Sequence, residues 1–220
     1  FMMHVTNASF CLSEADAGTT ATPLFAPLSL SVAAGDICLI SAPSGAGKTT
    51  LLRWIAGMPI NGLHATGNVS LFGKDVTKLP AERRRIGILF QTPLLFPHLC
   101  IADNISFGLA RTHRGATRRA MIEDALEAAG LAGFGPRDPA TLSGGQQSRV
   151  ALLRTLLAAP EALLLDEPFA SLDDDARTKN IALLRAETKT RGVPTLLVSH
   201  DPRDAALADM PVISLSQQQP

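Results

Sequence analysis

The chain has no tyrosine, one tryptophan, only three cysteines and no surplus of charge, because twenty lysines and arginines cancel twenty aspartates and glutamates over 220 residues. Each shortage excludes something. Without a net positive field nothing draws the chain as a whole toward nucleic acid or anionic lipid, and no nucleic-acid partner is expected. Cys11, Cys38 and Cys100 are scattered and lack C-x-x-C spacing, so they read as buried or idle thiols rather than as a zinc site or a disulfide framework. No run reaches the roughly 18 unbroken apolar residues of a membrane span. The richest, VALLRTLLAAPEALLLDE, is cut by Arg154, Pro160 and Glu161. The start also lacks the charged and then apolar pattern of a signal peptide, so a chain that stays in the cytoplasm is expected.

What is there is an alternation of short apolar runs and helical patterns. ICLIS (37–41) leads into KTTLLRWIAGM, ALLLD (162–166) into DDDARTKNIALLRAE, and PTLLVSH follows at 194–200. Continuous apolar strands followed by helices predict an α/β fold with a parallel sheet covered on both faces. MHVTNASFCL and PLSLSVAAG alternate more, which suggests an antiparallel β layer near the N-terminus. Between about residues 92 and 158 the strand signal vanishes, and three helical patterns suggest a helical subdomain inserted in the core. The basic stretch RTHRGATRR (111–119) reads as a solvated helix face, Arg83, Arg84 and Arg85 as surface charges, and SQQQP (216–220) as a frayed polar tail.

SAPSGAGKTT (41–50) sits between the first apolar strand and a helix. A glycine-bearing turn there aims backbone N–H groups and a helix N-terminus at one point, which suits phosphate oxygens. Lys48 is placed for the β and γ phosphates and the Thr49 hydroxyl for Mg²⁺. The pattern asks for glycine at position 42, where alanine stands. Pro43 pushes its predecessor into extended backbone with negative φ, so Ala42 is expected to be sterically acceptable with its methyl turned away, while Gly45 and Gly47 are expected to be intolerant. The alternative is an ordinary strand-turn-helix with an exposed lysine.

Two further stretches offer chemistry. Asp166 and Glu167 end the strand ALLL, where ligands of open α/β sheets bind; one carboxylate can serve a metal and the other a water. In TLSGGQQSRV (141–150) Ser143 and Gln146 have the spacing of a capping box, while Gly144 and Gly145 are poor first-turn residues unless something must approach the backbone.

LSGGQ, about 95 residues after Lys48 and about 20 before LLLDEP, resembles the signature of ATP-binding cassette (ABC) ATPases. GILFQTPLLFPHL resembles their Q-loop through Gln91, LLLDEP their Walker B strand, SLD their D-loop through Asp173, and VSHD their switch region through His200. The resemblance implies a single domain over 1–220: a P-loop NTPase core with parallel sheet, N-terminal antiparallel β subdomain and inserted helical subdomain. It implies ATP and Mg²⁺ as cofactors, with Thr49, Gln91 and Asp166 at the metal, Glu167 at the attacking water, and His200 at the γ-phosphate. Ala42, Pro43, Ser44, Gly45, Ala46, Gly47, Lys48, Thr49 and Thr50 would bind ATP, joined by Ser143, Gly144, Gly145, Gln146 and Asp173. In this family two cassettes pair head to tail, so the Ser143 helix of one caps the phosphate held by Lys48 of the other.

Most members stack adenine on an aromatic residue. Here Leu12 falls near that position, Phe10 is the nearest aromatic, and EADAGTTATP reads as an enlarged loop, so weak nucleotide affinity and poor discrimination of ATP from GTP are expected. The chain resembles a bare cassette of the importer branch that serves thiamine, iron(III) or oxyanions. That implies a homodimer with ATP, docked on permease subunits at the cytoplasmic side of the inner membrane, with a solute-binding protein in the full system. An exporter ATPase and a non-transport ABC ATPase are the alternatives. Phe96, Pro97 and His98 lie where the family receives a coupling helix, or else form ordinary subdomain core.

Overall fold

Alternating side chains along the first segments produce two strands, β1 (Met2–Leu12) and β2 (Leu28–Ala33), which pair antiparallel and bury Met3, Val5, Phe10, Leu30 and Val32 on one face. The structure, a computed structural model, describes residues 2–12, 23–110 and 112–215. Most of the expected enlarged loop and the whole polar tail lie outside these residues. On its other edge β1 pairs with β4 (Leu63–Leu71), and β5 (Lys74–Asp75) completes a four-stranded sheet in the order β2-β1-β4-β5. β4 escapes a reading by sequence pattern. LHATGNVSL carries a glycine and an asparagine, and only Val69 and Leu71 are buried.

The apolar runs form the second sheet. β3 (Ile37–Ser41), β6 (Ile86–Leu89), β7 (Ala162–Asp166), β8 (Thr195–Ser199) and β9 (Ile213–Ser214) lie parallel in the order β6-β7-β8-β3-β9. Successive residues of one strand serve different cores. Cys38, Ile40, Leu164, Leu196 and Val198 face α1 (Lys48–Ile55) and the antiparallel sheet. Ile37, Leu39, Leu163, Leu165 and Leu197 face the helices α3 (Ile101–Ser106), α4 (Gly115–Ala128), α5 (Gly144–Leu157) and α6 (Asp174–Arg191). Burial on both faces explains why these strands read as unbroken apolar runs. Between 92 and 158 the described residues hold helices and no strand, as the sequence suggested.

The basic residues fall differently from expectation. Arg84, at the end of α2 (Ala81–Arg84), is 5% exposed. Its guanidinium donates to the carbonyls of Leu79 at 2.8 Å, Trp54 at 2.9 Å and Ile55 at 2.8 Å, and also to that of Thr77. Trp54 and Ile55 end α1, whose last carbonyls lack partners within the helix, and a cation there also suits the helix dipole. Arg83 and Arg85 are exposed, and Arg85 pairs with Glu161 at 2.8 Å. Arg118 likewise leaves the solvated face expected of it: half-buried, it donates to the Ser106 hydroxyl at 2.7 Å and to the carbonyls of Ala110 and His113. Runs of like charge look alike in sequence. Which member finds orphaned carbonyls is settled by the helix ends around it.

Cys38 is buried, and burial pushes its thiol up to about 11. Cys100 instead caps α3, its sulfur accepting from the Asp103 N–H at 3.4 Å.

Candidate active site

The carboxyl ends of β3, β6, β7 and β8 lie side by side, so the segments that follow them converge. A cavity of about 480 Å³ opens there, lined by Leu24, Ser44, Gly45, Gly47, Lys48, Thr49, Thr50, Gln91, Asp166, Glu167 and His200. Five separate stretches of sequence thus meet at one place.

In the turn after β3, Gly45 and Gly47 have φ of 81° and 87°, in the left-handed region that disfavours other residues. An added Cβ on Gly47 would also stand 3.1 Å from the Phe25 ring. Ala42 avoids the left-handed region and is 4% exposed, its methyl packed in the core beneath the antiparallel sheet. That is the geometry the Ala-Pro pair predicts.

Lys48, 6% exposed, donates to the Ala42 carbonyl at 2.7 Å and the Pro43 carbonyl at 3.3 Å, and its Nζ lies 2.8 Å from Glu167 Oε1. The other Glu167 oxygen meets His200 Nδ1 at 2.8 Å. Glu167 has φ of 47° and donates its N–H to the Val198 carbonyl, so the chain turns left-handed at the strand end and swings this carboxylate into the cavity. Such backbone typically costs about 1 to 3 kcal/mol and persists where surroundings over-determine it. Asp166, its neighbour, accepts from the Thr49 hydroxyl at 2.7 Å.

The adjacent carboxylates are pushed apart in acidity. Burial raises the Asp166 carboxyl above its ordinary value against the opposing Thr49 hydrogen bond. Burial acts on Glu167 in the same sense, but the Lys48 and His200 hydrogen bonds outweigh it, and its carboxyl is held below the ordinary range. The Thr49 hydroxyl, the Asp166 carboxylate and the Gln91 amide at the same cavity offer oxygen donors, which fit a hard cation. No cluster of three or more His, Cys, Asp or Glu suited to a metal occurs among the described residues. Magnesium, held by one or two carboxylates together with substrate phosphates, fits this sparse set.

The signature residues stand apart from this cavity. Ser143 Oγ accepts from the Gln146 N–H at 3.3 Å and Gln146 Oε1 accepts from the Ser143 N–H at 2.9 Å, completing the capping box at the start of α5. The two glycines differ. A Cβ on Gly145 would lie 2.5 Å from the Ala176 Cβ of α6, whereas one on Gly144 meets nothing within 4 Å. Asp173 caps α6 by accepting from the Ala176 N–H at 2.8 Å.

Of the residues singled out in the sequence, Leu12, Ala42, Pro43, Ala46, Ser143, Gly144, Gly145, Gln146 and Asp173 do not line the cavity. Phe10 is fully buried against Phe25 and Trp54, with centroids 5.4 and 5.6 Å away, and Leu12 is 59% exposed. Leu24 lines the cavity without having been anticipated. Nothing in PLF (23–25) marks it, because its place depends on the Leu24 N–H bonding to the Phe10 carbonyl at 2.9 Å.

Comparison with known proteins bears on this arrangement. The ABC transporter family matches residues 25–170. The chain belongs to the ABC transporter ATPases. An uncharacterized ABC transporter ATP-binding protein of Escherichia coli, YnjD, is 41% identical over 216 residues, 98% of this chain and 96% of that protein. The sulfate/thiosulfate import ATP-binding protein CysA of Gloeobacter violaceus is 45% identical and the Fe(3+) ions import ATP-binding protein FbpC of Rhizobium etli 43%, each over 82% of this chain. The chain spans only 52% and 50% of those two importer proteins. Among solved structures, a dimeric post-hydrolysis state of the ATP-binding cassette MJ0796 bound to ADP and Pi superposes with a TM-score of 0.79 at 29% identity, covering 97% of this chain and 94% of that one. As an ABC ATPase the chain binds ATP, and among its described residues no helix is long and apolar enough to cross a membrane.

Proposed function

We propose that this ABC ATPase powers an importer of a small solute, of the thiamine, iron(III) or oxyanion type, as a head-to-tail homodimer docked on permease subunits at the cytoplasmic face of the inner membrane. A solute-binding protein would complete the system. The import ATP-binding relatives favour this direction of transport, and the contact of Lys48, Glu167 and His200 in one cavity carries the catalytic reading.

In this reading, Lys48 exchanges the Ala42 and Pro43 carbonyls and Glu167 for the β and γ phosphates of ATP. The backbone N–H groups from Ser44 to Thr50 surround the same phosphates. Thr49, Asp166 and Gln91 would hold Mg²⁺, which neutralises developing charge on the phosphate oxygens. Glu167, released from Lys48, takes the proton of the attacking water. His200 keeps Glu167 oriented through Nδ1 and turns its other ring nitrogen to the γ-phosphate. Ser143, with the free backbone at Gly144, approaches that phosphate from the partner cassette, and Asp173 lines the joint between the two. Adenine meets aliphatic Leu24 and exposed Leu12 rather than a stacked ring, which supports weak discrimination between ATP and GTP.

Glu167→Gln preserves the size of the side chain and removes its basicity. Turnover is expected to fall by about 10²- to 10⁴-fold. ATP binding persists, and an ATP-bound dimer accumulates on size exclusion. Normal turnover in this variant would remove the base assignment.

A further inference from the structure

His200 is half exposed, and among the described residues its one hydrogen bond to a side chain is that to Glu167. What fixes its position therefore lies in the chain on either side, at Ser199 and Asp201. Both are tied to a single buried cation.

Arg177 lies in the first turns of α6 and is 6% exposed. Its Nη1 donates to Asp201 Oδ2 at 3.3 Å, and its Nη2 to Asp204 Oδ1. The second oxygen of Asp204, itself 2% exposed, accepts from the Ser199 hydroxyl at 2.5 Å. That hydroxyl in turn accepts from the Asp201 N–H at 3.0 Å. The guanidinium carbon stands 5.7 Å from the centroid of Phe169, three residues beyond Asp166. The Arg177 backbone N–H donates to the carbonyl of Asp173, the cap of α6. The Arg177 side chain thus meets Phe169, in the segment after Asp166, and Asp201, on one flank of His200, and it reaches Ser199 on the other flank through Asp204. Arg203, outside it, bridges Asp201 and Asp174 at 2.7 and 3.0 Å, so each carboxylate of the group has a cationic partner.

We propose that Arg177 is a positioning residue for ATP hydrolysis, holding the backbone on both sides of His200 so that the imidazole meets Glu167 in register with the carboxyl end of β7. This rests on the reading of Glu167 and His200 given above. A buried ion pair is poor evidence for added stability, since apolar residues of similar size often serve as well. Its worth here is geometric: a displacement of about 1 Å at a reacting group can lower a rate by about 10²-fold.

The test compares Arg177→Met, Arg177→Lys and Asp204→Asn with the wild-type chain. In Arg177→Met, kcat for ATP is expected to fall by about 10- to 100-fold while KM stays within about two-fold, because the phosphate-binding turn is untouched. The His200 ring signals in an NMR spectrum, assigned by their loss in His200→Gln, should shift, while the Lys48 and Thr49 amides stay in place. Arg177→Lys should recover part of kcat. If Arg177→Met does not fold, Asp204→Asn gives the same readout with side-chain volume retained. Unchanged kcat in the folded variants, or a fall in kcat matched by a rise in KM with the His200 signals unmoved, would overturn the proposal. A normal rate in Glu167→Gln would instead overturn the catalytic reading beneath it.

Discussion

The cavity at the carboxyl ends of the parallel strands and the start of α5 are both proposed to meet phosphate, yet they are finished differently. Around the cavity every charged group has a partner within the chain: Lys48 on Glu167, Glu167 on His200, and Thr49 on Asp166. At α5 the capping box leaves an open backbone, with Gly145 filled by α6 and Gly144 facing no described atom within 4 Å. The first region can be satisfied within one chain. The second has room that no described residue of its own chain uses, as the proposed approach of a second copy requires.

That contrast can be broken most severely by separating the two regions onto different chains. Lys48→Ala disables the cavity and Ser143→Arg blocks the start of α5, so each variant alone is expected to lose nearly all ATPase activity. Mixed in equal amounts, they should recover about a quarter of the wild-type rate, because half of randomly paired head-to-tail dimers are mixed and each mixed dimer has one complete site. Steady-state phosphate release measures this directly. No recovery on mixing would mean that the two regions do not act across a dimer, and the contrast would then be only one of packing.

A gentler test uses the glycine pair, with two one-methyl changes on adjacent residues. Gly145→Ala drives a methyl to 2.5 Å from Ala176, and overpacking of this kind costs about 1 to 3 kcal/mol. For a chain of this length each kcal/mol lowers the melting temperature by about 2 to 4 °C. The methyl of Gly144→Ala meets no described atom within 4 Å, so its melting temperature should match or exceed that of the wild type. Its ATPase activity should nevertheless fall, because the added methyl narrows the approach to the backbone. A melting-temperature loss shared equally by both variants would show that the room at Gly144 is not free.

How much of this was legible in the sequence divides along similar lines. Three strands of the parallel sheet, β3, β7 and β8, and the residues at their carboxyl ends could be read because each is a local pattern, an apolar run closed by a polar or glycine-bearing turn, whereas the short edge-side strands β6 and β9 were not singled out. The antiparallel strand β4 could not, since LHATGNVSL gains its strand character from pairing with β1 rather than from its own residues. Arg84 was hidden by its neighbours: three consecutive arginines look like surface charge, and only the placement of the α1 carboxyl end distinguishes the middle one. Leu24 reaches the cavity by a backbone contact to Phe10 that no periodicity encodes. Phe10 shows the reverse limit, because the sequence offered it as the nearest aromatic while packing gives it to the core.

The smallest expected effect concerns pH, and it sharpens the contrast because the two regions are held by different forces. The edge of the cavity beyond His200 is pinned by charge. Hydrogen bonds from the Arg203 side chain, and then from its backbone N–H, hold the Asp201 carboxyl down at about 2. The capping box at α5 is made of neutral groups. A carboxyl whose acidity is strengthened by folding stabilises the folded state above its unfolded value near 4, and this contribution is lost as the pH falls from about 4 through about 2. Asp201→Asn keeps the shape and the capping oxygen but carries no charge. Its unfolding midpoint in urea should therefore lie below that of the wild type at pH 7, and the gap should narrow as the pH is lowered from 5 to 3 and close only toward 2. Ser143→Ala, by contrast, should show a gap that stays constant over the same range. If the Asp201→Asn gap were also independent of pH, the pinning at that edge would be a matter of shape, and the division between a charged cavity rim and a neutral α5 cap would fail.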